Sequence, residues 1–130
     1  RFRTVLYRRA MLRIAEQVAR RTECRALVTG EAVGQVASQT LVNMNTINRA
    51  VDMLVLRPLV GADKLETIRI AEMIGSYDLS SAQVPDSCSV FAPSSPATAT
   101  PEALAEAEER KIPDYPQVLE KIIADIETVA

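Results

Sequence analysis

Residues 26–40 read ALVTGEAVGQVASQT. The apolar run Ala26-Leu27-Val28 gives way at once to two glycines, two glutamines, a glutamate and three hydroxyl side chains. A short apolar run bounded by turn formers suits a buried strand. The polar segment behind it holds more hydrogen-bonding capacity than a change of direction requires. In a parallel α/β sheet, ligands gather where strands end and helices begin, because free N–H groups point there. Gly30 lets backbone approach a ligand closely, and the Gln39 amide both donates and accepts. The spacing is neither G-x-G-x-x-G nor a Walker A loop. Pattern rules alone slightly favour a polar turn followed by a helix cap.

Working outward, residues 25–29 and 52–56 read as two buried strands, with a helix from Val36 to about Ile47 between them. The β-branched, apolar run Thr4-Val5-Leu6-Tyr7 reads as the end of a further strand. An amphipathic helix then runs from Arg9 to Arg21, with Met11, Ile14, Ala15 and Val18 turned inward. Asp63, with Glu66 three residues on, forms a capping-box pattern. The helix it opens carries Leu65, Ile68, Ala71 and Ile74 inward, and Gly75 is placed to end it. Strand, helix, strand, helix with near-continuous apolar strands predicts an α/β fold, a parallel sheet with flanking helices. From Ser76 to Thr100 the periodicity dissolves into a long loop of the kind that is functional or disordered. Thr100-Pro101 opens a charged helix. Pro116 to Val129 reads as an amphipathic terminal helix carrying Leu119, Ile122, Ile123 and Ile126. The expected division is a main body over residues 1–100 and a helical extension over 101–130.

With 130 residues, 48% of them hydrophobic, the chain can build one core. Residues 1–25 hold eight arginines against two acids, a net of +6, whereas residues 101–130 hold eight acids against three bases, a net of −5. That asymmetry suggests a basic face able to meet phosphate or nucleic acid; solvated helix arginines would give the same pattern. The absence of histidine removes the commonest neutral-pH base and zinc ligand. Cys24 and Cys88 lie 64 positions apart without a C-x-x-C, so no metal site is expected. No apolar run reaches membrane-spanning length. The chain opens on Arg1 rather than Met, which gives the expectation of a fragment. A half sheet of this kind would leave an edge able to pair with a second copy.

Five positions outside the glycine-rich loop also carry chemistry. Arg8-Arg9 falls at the expected end of the first strand, where one arginine could face a phosphate and at least one would be surface charge. Lys64 stands in the first turn of a capped helix, where a cation is mildly unfavourable. Cys88, flanked by Asp86, Ser87 and Ser89, reads as an accessible thiol, with reactive and inert readings left open. Cys24 reads as a structural or half-buried thiol.

Four segments, YRRAMLRIAEQVA (7–19), LVTGEAVGQVASQT (27–40), LRPLVGADKLETIRIAEMIGSYDLS (56–80) and CSVFAPSSPAT (88–98), resemble in this order the tRNA 4-thiouridine synthetase family. These sulfurtransferases also serve thiamine biosynthesis. The resemblance runs from about Thr4 to Thr100 and is loose beyond. It implies part of a PP-loop ATP pyrophosphatase domain, of the adenine nucleotide α-hydrolase type. It also implies a cytoplasmic enzyme that adenylates a tRNA uridine with ATP and then transfers persulfide sulfur supplied by a cysteine desulfurase. By motif, Arg8, Gly30 and Gln39 resemble the nucleotide contacts, Lys64 the lysine required for the chemistry, and Cys88 the loop cysteine of sulfur transfer. No S-G-G-x-D-S loop is present, so the phosphate cradle, and Mg2+ with it, is expected upstream of Arg1. A chain without that loop is expected to form no thiouridine alone. Ser87 stands where many short members carry a second cysteine. Another PP-loop enzyme, or a non-catalytic half-domain that self-associates, are the alternatives.

Overall fold

The computed structural model describes residues 1–84 and 92–126; Cys88 lies outside them. Helix α1 spans Arg3–Arg21 and buries Val5, Arg9, Leu12, Glu16 and Ala19, spaced alternately four and three apart on one face. Thr4–Tyr7, expected as a strand end, is instead the first part of this helix. Its β-branched residues yield to tertiary packing, with Val5 2% exposed against Leu12, Ile47 and Val51. Arg8 and Arg9 therefore stand within a helix rather than at a strand end. The buried stripe is also rotated from the expected one, for Met11 is 47% exposed. Two of its five members are charged, which hides it from a search for apolar periodicity.

Strands β1 (Ala26–Val28) and β2 (Leu54–Leu56) pair in parallel, Leu27 opposite Val55. That pair packs on the core cluster of Val5, Leu12, Ile47 and Val51. Val28, Leu54 and Leu56 remain 68%, 61% and 46% exposed, so the strands are not buried as the apolar runs suggested.

The helix expected from Val36 to Ile47 is divided. A 3₁₀ turn spans Ala37–Gln39 and α2 spans Leu41–Asn48, with Thr40 extended between them. The Thr40 hydroxyl accepts from the Asn43 N–H as an N-cap, and that is where the helix restarts. The segment after β2 follows its local signals. Asp63 and Glu66 close a reciprocal capping box at the start of α3 (Lys64–Met73). The helix ends on Gly75 at φ +72°, with Gly75 N–H donating to Glu72 O and Ser76 N–H to Ala71 O, a Schellman closure. Nevertheless α3 buries no residue completely. Leu65 and Ile74, expected inward, are 63% and 67% exposed, because the helix packs chiefly on the short α4 (Tyr77–Ser81).

Helices α5 (Glu102–Glu109) and α6 (Tyr115–Ala124) both pack on α1. Pro101 caps α5 rather than opening it. Ile123 is buried, while Ile122 and Ile126, expected inward, are exposed. Cys24 is exposed too, contrary to its reading as a structural thiol. It follows Glu23, which holds φ 59° where the chain leaves α1.

One ion cluster joins α1 to α5. Arg9 is 1% exposed and donates from Nε to Glu109 Oε1 at 2.8 Å, from Nη2 to Oε2 at 3.3 Å, and from Nη1 to Thr46 O at 2.5 Å. Arg13 donates to the same two oxygens at 2.7 and 3.0 Å and to Tyr115 Oη at 2.9 Å. Burial pushes the Glu109 carboxyl up, but the hydrogen bonds from Arg13 and Arg9 outweigh it and hold the group below the ordinary carboxylate range. Glu109→Ala, which strands the Arg9 guanidinium, is expected to cost about 3–5 kcal/mol by chemical denaturation. Because the folded carboxyl titrates below its unfolded value, its stabilisation is present above the ordinary value of 4.5 and is lost as pH falls below it. Denaturation midpoints measured from pH 6 down to pH 3 are expected to fall in that window, and Glu109→Gln to flatten the fall.

Candidate functional site

A cavity of about 920 Å3 opens between α1, residues 30–39, the first turns of α3, and Ala92 and Pro96. It falls within the range of small-molecule sites. Arg8, Gly30, Gln39 and Lys64 all line it, although they span 57 positions of sequence. Cys88, the fifth expected site residue, lies outside the described residues, four positions before Ala92.

Each wall follows from local chemistry. Gly30 does not occupy the left-handed region, unlike Gly34 at φ +81° and Gly75 at φ +72°. A Cβ built at Gly30 would meet nothing within 4 Å. Neither backbone conformation nor crowding by the protein calls for glycine at 30; what a side chain there would occupy is the cavity itself. Gln39 is pinned by its backbone, its N–H donating to Val36 O at 2.8 Å and its carbonyl accepting from Gly34 N–H at 2.9 Å. Its side-chain Oε1 is buried and has no partner among the described residues, an acceptor lacking a donor at a cavity wall. Lys64 is exposed at the start of α3, and Thr67 and Ile68 of the same helix continue the wall.

Sequence reasoning gave no role to Glu31. Its side chain is 7% exposed, and both carboxylate oxygens are occupied. Oε1 accepts from Arg8 Nη1 at 2.6 Å, and Oε2 from Arg57 Nε at 2.8 Å and the Thr29 hydroxyl at 3.1 Å. The arginines lie 23 and 26 positions away, so no local motif announces the cluster.

A second network fixes the far wall. Asn43, fully buried, donates to Ala37 O at 2.6 Å and Ala97 O at 2.8 Å and accepts from Thr100 N–H at 2.8 Å. Thr40 and Thr46 add hydroxyl bonds to Thr98 O and Thr100 O, each 2.6 Å. One amide thus ties the turn that presents Gln39 to the segment that follows Pro96. Among the described residues no group of three or more His, Cys, Asp or Glu could hold a metal ion.

The arrangement presents two cations, Arg8 and Lys64, at the wall of a cavity, with an unpaired amide acceptor and a stretch of backbone bared by glycine. This suits an anionic ligand that also carries hydrogen-bond donors, which a nucleotide is. Gly30→Ala is expected to leave stability unchanged or to raise it by about 0.4–1 kcal/mol, since the backbone there accepts an L residue. Thermal unfolding checks this, and a marked fall would mean that the glycine serves the fold instead.

The family profile described as thiamine biosynthesis protein (ThiI) matches residues 1–113, and so extends past Thr100 to include Glu109. A probable tRNA sulfurtransferase from Moorella thermoacetica is 50% identical over 111 residues, covering 85% of this chain and 28% of its own. The crystal structure of a 4-thiouridine synthetase–RNA complex with bound ATP superposes with a TM-score of 0.86 at 43% identity. It covers 93% of this chain, which spans 31% of that one.

Proposed function

Since the chain belongs to the ThiI family, we propose that it supplies one wall of the nucleotide site of a tRNA 4-thiouridine synthetase. The single observation that carries this reading is the cavity shared by Arg8, Gly30, Gln39 and Lys64. The similar solved structure contains ATP and RNA, which supports both ligand classes here.

In this reading the bared backbone at Gly30 and the unpaired Gln39 Oε1 receive the adenylate, Oε1 accepting from an exocyclic N–H. Arg8 contributes positive charge at the phosphate side. ATP adenylates the carbonyl oxygen of a tRNA uridine with loss of pyrophosphate. The outer sulfur of a persulfide then attacks that carbon and displaces AMP, and a second thiol cleaves the S–S bond to leave sulfur on the uridine and a disulfide that an external thiol reductant reopens. Lys64 stabilises the negative charge that develops during adenylation. Cys88 takes part in sulfur transfer, and its thiol must be reachable for exchange between partners. A cysteine desulfurase charges the persulfide, and Mg2+ accompanying ATP is held by residues other than those of this cavity. Such an enzyme works in the cytoplasm with its tRNA. No helix among the described residues is long and apolar enough to cross a membrane. A homodimer would find apolar surface at Val28, Leu54 and Leu56.

The roles separate kinetically in the protein at its natural full length. Lys64→Ala is expected to lower kcat for thiouridine formation by about 100-fold or more with little change in the KM for ATP. Cys88→Ser is expected to abolish thiouridine while tRNA-dependent pyrophosphate release continues. Normal thiolation by both variants would overturn these assignments.

A further inference from the structure

Outside the four residues assigned to the ligand, a charged group beside the cavity, Glu31, has both of its carboxylate oxygens occupied. It adjoins Gly30 in sequence and is 5% exposed, yet it does not itself line the cavity. A buried carboxylate is costly unless it is paired and hydrogen-bonded, and Glu31 is both. Its three partners come from different parts of the fold: Arg8 from α1, Thr29 from the end of β1, and Arg57 from the end of β2. Only Arg8 of the two arginines reaches the cavity. Arg57 turns away from it, its Nη1 donating to Asn48 Oδ1 at 3.1 Å at the end of α2.

This division of labour has a chemical consequence. A guanidinium has five donors in a fixed plane, so holding one of them restricts the directions open to the others. Glu31 takes Arg8 through Nη1 alone, which restricts where the guanidinium can sit and leaves Nε and Nη2 to offer to an anion. Arg57 in turn prevents Glu31 from swinging with Arg8, because its Nε holds the opposite carboxylate oxygen. The two arginines and one carboxylate together leave a single net positive charge beside the cavity. Without Glu31 there would be two, one of them on a side chain free to move.

We propose that Glu31 is a positioning residue of the nucleotide site, orienting the Arg8 guanidinium toward the ligand's phosphate while Arg57 anchors the carboxylate. The inference rests on Arg8 being a nucleotide contact, as proposed above.

A double-mutant cycle in the full-length protein tests it, with the KM for ATP and the thermal midpoint read in parallel. Glu31→Gln keeps the size of the side chain and is expected to raise the KM for ATP about tenfold. Arg8→Ala is expected to raise it at least as much, and Glu31→Gln added to Arg8→Ala to raise it no further, the non-additivity expected of contacting residues. Arg57→Lys retains a charge but loses the fork, and is expected to give a smaller rise that also vanishes without Arg8. Should Glu31→Gln lower the thermal midpoint too far for assay, Glu31→Asp, which withdraws the carboxylate from Arg8 by one methylene, gives the same comparison. Additive effects of Glu31→Gln and Arg8→Ala, or a lowered thermal midpoint with an unchanged KM, would overturn the positioning role. An unchanged KM in Arg8→Ala alone would instead remove Arg8 from the nucleotide site, and the inference with it.

Discussion

Arg9 is the constraint on which the remaining packing turns. Its guanidinium is among the most deeply buried groups described, and a charge taken that far from water must find partners wherever the chain can bring them. They come from Thr46 in α2 and from Glu109, one hundred positions away in α5. Satisfying one side chain therefore fixes three helices relative to one another. Arg8, the next residue back, projects about 100° around the same helix. Locking Arg9 into the core thus aims Arg8 at the cavity. The structural and the cavity-facing arginine are neighbours because a helix turns its side chains in that way.

The cavity is assembled by the same economy of buried polar groups. Asn43 holds the turn before α2 to residues 97–100, and Glu31 holds α1 to the ends of both strands. Neither network is apolar; Asn43 and Glu31 at their centres are fully hydrogen-bonded, although Arg57 Nη2 and Thr100 Oγ1 at their edges are buried without a partner among the described residues. The atoms left over are informative. Of the few buried side-chain atoms without a partner, Gln39 Oε1 is the one whose residue lines the cavity. A fold that satisfies Asn43 and Glu31 so completely leaves an acceptor open where a ligand would sit.

How much of this was legible depended on the range of the interaction. The capping box at Asp63 and Glu66 and the glycine closure at Gly75 are made within one turn, and their sequence signals held. The parallel α/β class followed from β1, α2 and β2, whose apolar runs are short and well punctuated. Thr4–Tyr7 misled because β-branched residues favour strands only weakly, and Val5 is claimed by a core built from α2 and the segment after it. The stripe of α1 was mistaken by a rotation because Arg9 and Glu16 occupy places where apolar residues were sought. Leu65 and Ile74 were expected inward on periodicity, which tells that a helix has a face but not that anything covers it. At the site, the resemblance of whole motifs nominated Arg8, Gly30, Gln39 and Lys64. Glu31 escaped because its meaning lies in two arginines more than twenty positions away, a relation that no single-sequence spacing encodes.

The central claim is that the cavity bounded by Arg8, Gly30, Gln39 and Lys64 receives the nucleotide. A crystal structure of the full-length protein with ATP tests it most directly. The expected density places the adenylate against the Gly30 backbone, with an adenine or ribose donor within hydrogen-bond distance of Gln39 Oε1 and Arg8 on the phosphate side. Nucleotide bound elsewhere, with Gln39 Oε1 still unpartnered or turned to another protein donor, would contradict it.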